Sequence, residues 1–223
     1  VRDVINIPTI DTEIKSGASS KGSTAGAESD VFVIRLYSFS ANSPDLFKNA
    51  VVEFLKSGKS KLILDLRGNP GGYLEAAVYM ASFFLPEGKV IVREDFGKGM
   101  EEEVYRSKGY NVFNKNLKFV ILVDGGSASA SEILAGALSE QGIAKLVGTK
   151  TFGKGSVQEL VKVTPDTSLK VTIARWLTPN GNSISEGGLK PDIEVKIDPK
   201  VFEKDGTTVR DFQMEKAIEI LNN

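Results

Sequence analysis

Asp124 to Ile133 reads DGGSASASEI, and it separates two stretches of different hydrophobic period. Before it, Phe119-Val120-Ile121-Leu122-Val123 is an unbroken apolar run, the pattern of a strand buried on both faces. After it, Ile133, Leu134, Ala137 and Leu138 recur at helical spacing. A buried strand, a turn of glycines and serines and then a helix is the unit of an α/β fold. It also places small hydroxyl side chains at a helix start, where unpaired N–H groups can receive an anion or a developing oxyanion. A single serine before a helix is ordinarily a cap. Three at alternate positions, Ser127, Ser129 and Ser131, exceed what capping needs, and a nucleophile is the competing reading.

Composition restricts how such a serine could be activated. The chain has no His and no Cys, which excludes a Ser-His-Asp triad, a thiol nucleophile and His- or Cys-based zinc sites. The remaining common base for a serine is a neutral lysine. An ordinary lysine, with a pKa of about 10.4, is almost entirely charged at neutral pH. The base is therefore expected in a desolvated setting, among small and apolar neighbours. Thr151-Phe152-Gly153-Lys154-Gly155-Ser156-Val157-Gln158 offers Lys154 between two glycines, beside a phenylalanine and before a strand. Lys150, with polar flanks, reads as a solvent-facing charge. Gln158 could hydrogen-bond the amine of Lys154 without adding charge.

The 223 residues suffice for one α/β core without disulfide staples, and a net charge of −1 from 28 basic and 29 acidic residues gives no nucleic-acid footprint. No apolar run reaches the roughly 18 residues of a membrane span, and VRDVINIPTI has no signal-peptide pattern. Absence of Cys fits an exported bacterial enzyme.

Taken in order, Val4 to Ile10 alternates as an edge strand that tolerates Pro8, and Ser16 to Asp30 is a Gly/Ser-rich linker. Val31 to Tyr37 reads as a strand. Ser43 and Pro44 cap and open a helix carrying Leu46, Phe47, Ala50, Val51, Phe54 and Leu55, which Gly58 stops. A second buried strand from Lys61, KLILDL, runs into Arg67-Gly68-Asn69-Pro70-Gly71-Gly72, a turn where backbone can approach a ligand closely. It lacks the order of a nucleotide loop. Arg67 is expected to neutralise a buried carboxylate or orient this turn. A helix from Leu74 to Leu85 follows, then a strand at Val90 to Arg93, a polar surface excursion over Gly97 to Asn116, and a strand at Lys145 to Gly148. Strand and helix alternate to this point, predicting a mainly parallel sheet covered by helices. Ser156 to Val163, Leu169 to Trp176 and Ile193 to Ile197 then read as antiparallel strands, and Val209 to Leu221 as a closing helix.

Four motifs in this order, LDLRGNPGG, DGGSASASEILAGAL, GTKTFGKGSVQ and LTPNG…GGLKPDIEV, resemble the C-terminal processing peptidases, with Lys154 lying 25 residues after Ser129. The resemblance runs from Val31 to Val195. It implies a crotonase-like α/β core of mainly parallel sheet with helices, followed by antiparallel strands and a terminal helix. It also implies a serine endopeptidase that cleaves near protein C-termini through an acyl-enzyme, without metal or other cofactor. Ser129 is then the nucleophile, Lys154 the general base and Gln158 its positioning partner, while the N–H groups of Gly72 and Ala130 form the oxyanion hole. Glu132 stays outside the catalytic set, as a first-turn carboxylate favoured by the helix dipole.

By the same resemblance residues 1–30 are an N-terminal strand and linker without the family's PDZ domain, 31–200 the protease core and 201–223 a helical segment. Protein or peptide substrates, no nucleic acid and an extracytoplasmic setting are the implied partners and compartment, with any targeting segment or membrane anchor outside this sequence. Two alternatives use the same features: a crotonase-like acyl hydrolase, and a catalytically idle scaffold that holds peptides by strand addition.

Overall fold

The computed structural model describes residues 8–15, 30–113, 116–185, 187–196 and 210–223. Its main sheet is built from β1 (Ile10–Lys15), β2 (Val31–Leu36), β3 (Lys61–Asp65), β6 (Lys118–Val123), β7 (Lys145–Gly148) and β10 (Ile193–Glu194), in the order β1-β2-β3-β6-β7-β10. All neighbours are parallel except β1, which runs antiparallel to β2 along one edge.

The apolar runs noted in the sequence divide between two faces by the two-residue period of a strand. Phe32, Ile34, Leu62, Leu64, Phe119, Ile121 and Leu146 face one buried cluster. There they meet α1 (Ser43–Lys56), α2 (Leu74–Ala81) and α3 (Ala130–Glu140). Val31, Val33, Ile63, Val120, Leu122 and Val147 face the opposite cluster with Met214, Ala217 and Leu221 of α4 (Phe212–Asn222). Because both faces are covered, the strands need no polar alternation.

A second sheet, ordered β5-β4-β9-β8, is antiparallel throughout. It comprises β4 (Val90–Asp95), β5 (Glu103–Arg106), β8 (Ser156–Thr164) and β9 (Thr167–Leu177).

Several sequence expectations shift. The edge strand is Ile10–Lys15 rather than Val4 to Ile10; Val4 to Ile7, like Ser16 to residue 29 of the expected linker, lie outside the described residues. β4 belongs to the second sheet, where it pairs with β9 and with β5, a strand inside the expected surface excursion. Ile193–Glu194 pairs parallel with β7 rather than joining the antiparallel strands, since the chain crosses back to the main sheet after Pro191. Ser43 is not the cap of α1. It is buried, its hydroxyl donates to Ser40 O at 2.8 Å, and Asn42 occupies the cap position.

α4 is fixed by an ion-pair network as well as by its apolar face. Arg67 donates to both carboxyl oxygens of buried Asp65, at 2.9 and 2.7 Å, and to both of Asp211, at 2.8 and 2.7 Å. Asp211 also caps α4, accepting from Met214 N at 3.0 Å. The helix is thus tied to the turn that carries Gly71 and Gly72. Burial would push the Asp211 carboxyl up, but the hydrogen bonds from Arg67 and Met214 N, with the Arg67 charge, outweigh it and hold it below the usual range.

A group with a depressed folded pKa stabilises fully above its unfolded value, about 3.9 for Asp, and loses that contribution as pH falls through the folded value. Protection of the α4 amides against hydrogen exchange, relative to the intrinsic rate at each pH, should therefore fall selectively below about pH 4. Asp211→Asn, which keeps a capping oxygen but not the ion pair, should accelerate their exchange roughly a few-fold already at pH 7. Unchanged exchange in that variant would mean that the apolar face alone docks the helix.

Candidate active site

Four loops converge at the carboxyl ends of β2, β3, β6 and β7, the region where parallel α/β sheets carry their sites. The loops after β3 and β6 are laced together first. Ser127 is buried, donates to Leu66 O at 2.8 Å and accepts from Asp124 N at 3.0 Å. Ser131, equally buried, donates to Asn69 O at 3.0 Å, and Ala128 N donates to the same oxygen at 3.0 Å. Asp124 Oδ1 accepts from Gly68 N and Gly126 N, each at 2.8 Å. Two of the three alternate serines are therefore structural.

The middle one differs. Ser129 is partly exposed and has φ 56° and ψ −117°, a sparsely populated region for a residue with a Cβ, costing on the order of 1–3 kcal/mol. Such strain persists where surrounding bonds over-determine it, and those bonds converge on Glu132.

Glu132 is fully buried. Its Oε2 accepts from Ser129 N at 2.9 Å and from Lys154 N at 2.9 Å. Its Oε1 accepts from Gly153 N at 2.7 Å and from Thr151 Oγ1 at 2.6 Å. Thr151 Oγ1 in turn accepts from Leu189 N at 2.6 Å. The backbone nitrogens of Ser129 and Lys154, 25 residues apart in sequence, thus lie no more than twice 2.9 Å from each other.

The other expected site residues fall as follows. A Cβ built on Gly71 would stand 2.8 Å from Ser129 Cβ and 2.9 Å from Ala130 N, so the glycine turn abuts the serine and the start of α3. Phe39 N donates to Gly71 O at 2.9 Å and Tyr73 N to Phe39 O at 2.8 Å, pairing Phe39 with Gly72 in a parallel bridge. In that pairing Gly72 turns its own N–H away from Phe39. A side chain at Gly72 would collide with Phe39 O, 2.2 Å from its Cβ. Ala130 is the first residue of α3, where an N–H has no intrahelical acceptor. Two amides on different loops are therefore available beside Ser129.

Lys154 departs from expectation in being exposed rather than desolvated. Its neighbours Gly153 and Gly155 have no side chains to cover it, and Phe152 is 65% exposed. Gln158 is also exposed, at a bulge in β8, and no hydrogen bond joins it to Lys154 among the described residues.

Glu132 is what the sequence reading left out. Its signal was present as Ser129-Ala-Ser-Glu132, the Ser-x-x-Glu pattern of a capping box, set in a helix otherwise made of small and apolar residues up to Leu138.

The residues fit a known family model. Residues 30–195 match the model of Peptidase family S41. The chain belongs to peptidase family S41. It is 37% identical over 194 residues to a probable CtpA-like serine protease of Staphylococcus epidermidis, covering 87% of this chain and 37% of that protein. A protein of the same description from Staphylococcus aureus is 42% identical over 165 residues, covering 74% of this chain and 33% of its own length. The matched part of the chain thus spans 33% to 37% of the length of these relatives. Among solved structures, the photosystem II D1 C-terminal processing protease superposes with a TM-score of 0.77 at 30% identity, covering 98% of this chain and 54% of that one. That solved structure shares the mixed α/β architecture read from the sequence.

Glu132→Ala would leave three backbone donors and the Thr151 hydroxyl without their acceptor. Hydrogen bonds to a charged group are each worth about 1.5–3 kcal/mol, with no simple additivity. Urea denaturation should show a loss of roughly 3 kcal/mol or more, and Thr151→Val a smaller one. A loss under about 1 kcal/mol for Glu132→Ala would show that water replaces the carboxylate freely.

Proposed function

We propose that this S41 chain is a serine endopeptidase core in which Ser129 attacks a peptide carbonyl, Lys154 acts as general base and the N–H groups of Gly72 and Ala130 stabilise the oxyanion. The observation that carries the reading is the shared carboxylate oxygen of Glu132, which accepts from Ser129 N and Lys154 N together. It supports a serine and a lysine held as one unit, with two amides beside them that have no acceptor among the described residues.

In acylation the Ser129 Oγ–carbon bond forms as its proton passes to neutral Lys154. The C–N bond then breaks, and Lys154 delivers the proton to the leaving amine. Water repeats the sequence on the acyl-enzyme. Removing one oxyanion donor ordinarily costs about 2.7–4 kcal/mol of barrier. Lys154 is exposed in the free chain, and we infer that the bound polypeptide covers its amine. Gln158 orients the amine once that side is covered.

The substrates are proteins or peptides cleaved near their C-termini, by likeness to the relatives' names, and the setting is outside the cytoplasm. No helix among the described residues is long and apolar enough to cross a membrane.

Ser129→Ala should abolish labelling by an alkyl fluorophosphonate and reduce peptide turnover by a factor on the order of 10⁴ or more. Lys154→Ala should approach the same loss, since both belong to one unit. Lys154→Arg should be as inactive, because a guanidinium keeps its proton. Near-normal turnover by Lys154→Arg, in a preparation free of contaminating protease, would overturn the Ser–Lys mechanism.

A second measurement addresses the terminus. Residues 1–223 should cleave a tail peptide and its C-terminally amidated form within a few-fold of each other in KM. A large preference for the free carboxylate would place terminus recognition inside this chain.

A further inference from the structure

The first turn of α4 reaches, from the far face of the main sheet, the roots of two loops of the site. Asp211 accepts from both terminal nitrogens of Arg67, at 2.8 and 2.7 Å, and Arg67 opens the turn that ends at Gly72. Gln213 is fully buried and uses both ends of its amide: Oε1 accepts from Arg67 Nη1 at 3.2 Å, and Nε2 donates to Val195 O at 2.9 Å. Val195 N in turn donates to Gly148 O at 2.7 Å. Gly148 is the last residue of β7, six residues before Lys154. One buried side chain of α4 therefore links the glycine turn after β3 to the lysine loop after β7.

From Arg67 the path to Gly72 is short. Asn69 N donates to Leu66 O at 3.2 Å, and Asn69 Oδ1 accepts from Gly71 N at 2.9 Å. The turn has little stiffness of its own, since Gly71 and Gly72 both have a positive φ, which side chains with a Cβ rarely adopt. Its placement rests on bonds to its surroundings, and Arg67 carries those that leave for α4. The helix is the less secure partner. It has 11 residues, a length at which an isolated helix is marginal in water, and it is held by Met214, Ala217 and Leu221 together with these polar anchors.

We propose that Asp211 and Gln213, in the first turn of α4, are positioning residues of the active site, and that docking of α4 and occupancy of the oxyanion site favour each other. This deepens the Ser129–Lys154 reading and rests on it. Asp211 acts through Arg67 and touches no reacting atom. When α4 loosens, Arg67 loses one of its two carboxylates and Val195 O loses its donor, so the Gly72 amide and the lysine loop lose a shared reference. Coupling of this kind is reciprocal. An oxyanion held by Gly72 must therefore tighten α4, on the opposite face of the sheet. Anything that displaces α4 turns the enzyme down without approaching Ser129.

An alkyl fluorophosphonate reports both directions of the coupling. Ser129 Oγ forms a bond to phosphorus as its proton passes to Lys154, fluoride leaves, and the phosphonyl oxygen takes the oxyanion position. At one pH, labelling of the wild-type chain should raise the protection of the α4 amides against hydrogen exchange by about fivefold or more, with the α1 amides as an unchanged reference. Asp211→Asn should lose that gain and label more slowly by roughly 2- to 30-fold. Gln213→Met, of similar size, should behave likewise. Asp211→Glu, which keeps a carboxylate for Arg67, should recover most of the labelling rate. A purely structural Asp211 would speed α4 exchange equally in labelled and unlabelled chains and leave the labelling rate as in wild type, and that result overturns the proposal. So does wild-type α4 protection that labelling leaves unchanged or raises no more than in α1. Absence of Ser129 labelling in the wild type sinks the Ser–Lys reading and the coupling with it. Labelling at Ser129 without an α4 response removes the coupling alone.

Discussion

The interaction on which the site depends is a buried carboxylate that binds backbone rather than a cation. Glu132 lies in a helix whose residues from Ala130 to Leu138 are all buried, and taking a charge out of water ordinarily costs several kcal/mol. Four donors offset that cost here: three main-chain N–H groups and one hydroxyl, two on each oxygen. Because three of the four are backbone, the carboxylate fixes chain path rather than side-chain rotamer. It sets the turn of Ser129 against the loop of Lys154, and it makes the left-handed conformation of Ser129 affordable within a rigid frame. Replacing Glu132 by an apolar residue of similar size could not do this, since the N–H groups would remain without acceptors.

The second constraint is the lacing of the two loops beneath that carboxylate. Asn69 Nδ2 donates to Leu36 O at 2.7 Å and its Oδ1 accepts from Gly71 N at 2.9 Å, while its carbonyl takes bonds from Ala128 N and Ser131 Oγ. One asparagine therefore ties β2, the glycine turn and the serine turn. Arg67, two residues earlier, joins the same turn to Asp65 and, through Asp211, to the helix on the opposite face of the sheet. Distortion of the glycine turn would consequently have to disturb the core on both faces. The rigidity suits an oxyanion site, whose donors act only if they need not reorganise during the reaction.

These relations explain what was legible from residues alone. Strand identity was legible because two-sided burial leaves unbroken apolar runs, as at Lys61–Asp65 and Lys118–Val123. Partner choice among strands was not. Val90–Asp95 has the composition of a main-sheet strand, yet it pairs with Thr167–Leu177, because pairing is decided by long-range contacts that no local pattern carries. Ile193–Glu194 is too short to declare parallel or antiparallel neighbours at all. Around the candidate site, the serine stretch and the lysine between glycines stand out in the sequence as candidates by residue type alone. Glu132 did not, because a glutamate in a first helical turn has an ordinary explanation in the helix dipole. What distinguishes it is the tertiary convergence of the 151–154 loop on its oxygens.

The same convergence accounts for the exposure of Lys154. Holding its backbone N–H against Glu132 uses a loop whose flanking residues are glycines, and a Cβ on Gly155 would meet Ser185 N at 2.4 Å while one on Gly153 would meet Gly188 N at 2.8 Å. The approach of Ser185 and Gly188 thus forbids side chains on either side of Lys154 that could shield it. Backbone placement and side-chain enclosure compete at this point of the fold, and placement prevails. An arrangement of this kind holds Ser129 and the turn of Gly71 and Gly72 in a rigid frame while leaving the side of Lys154 open to solvent. In the mechanism proposed above, the bound polypeptide covers that open side.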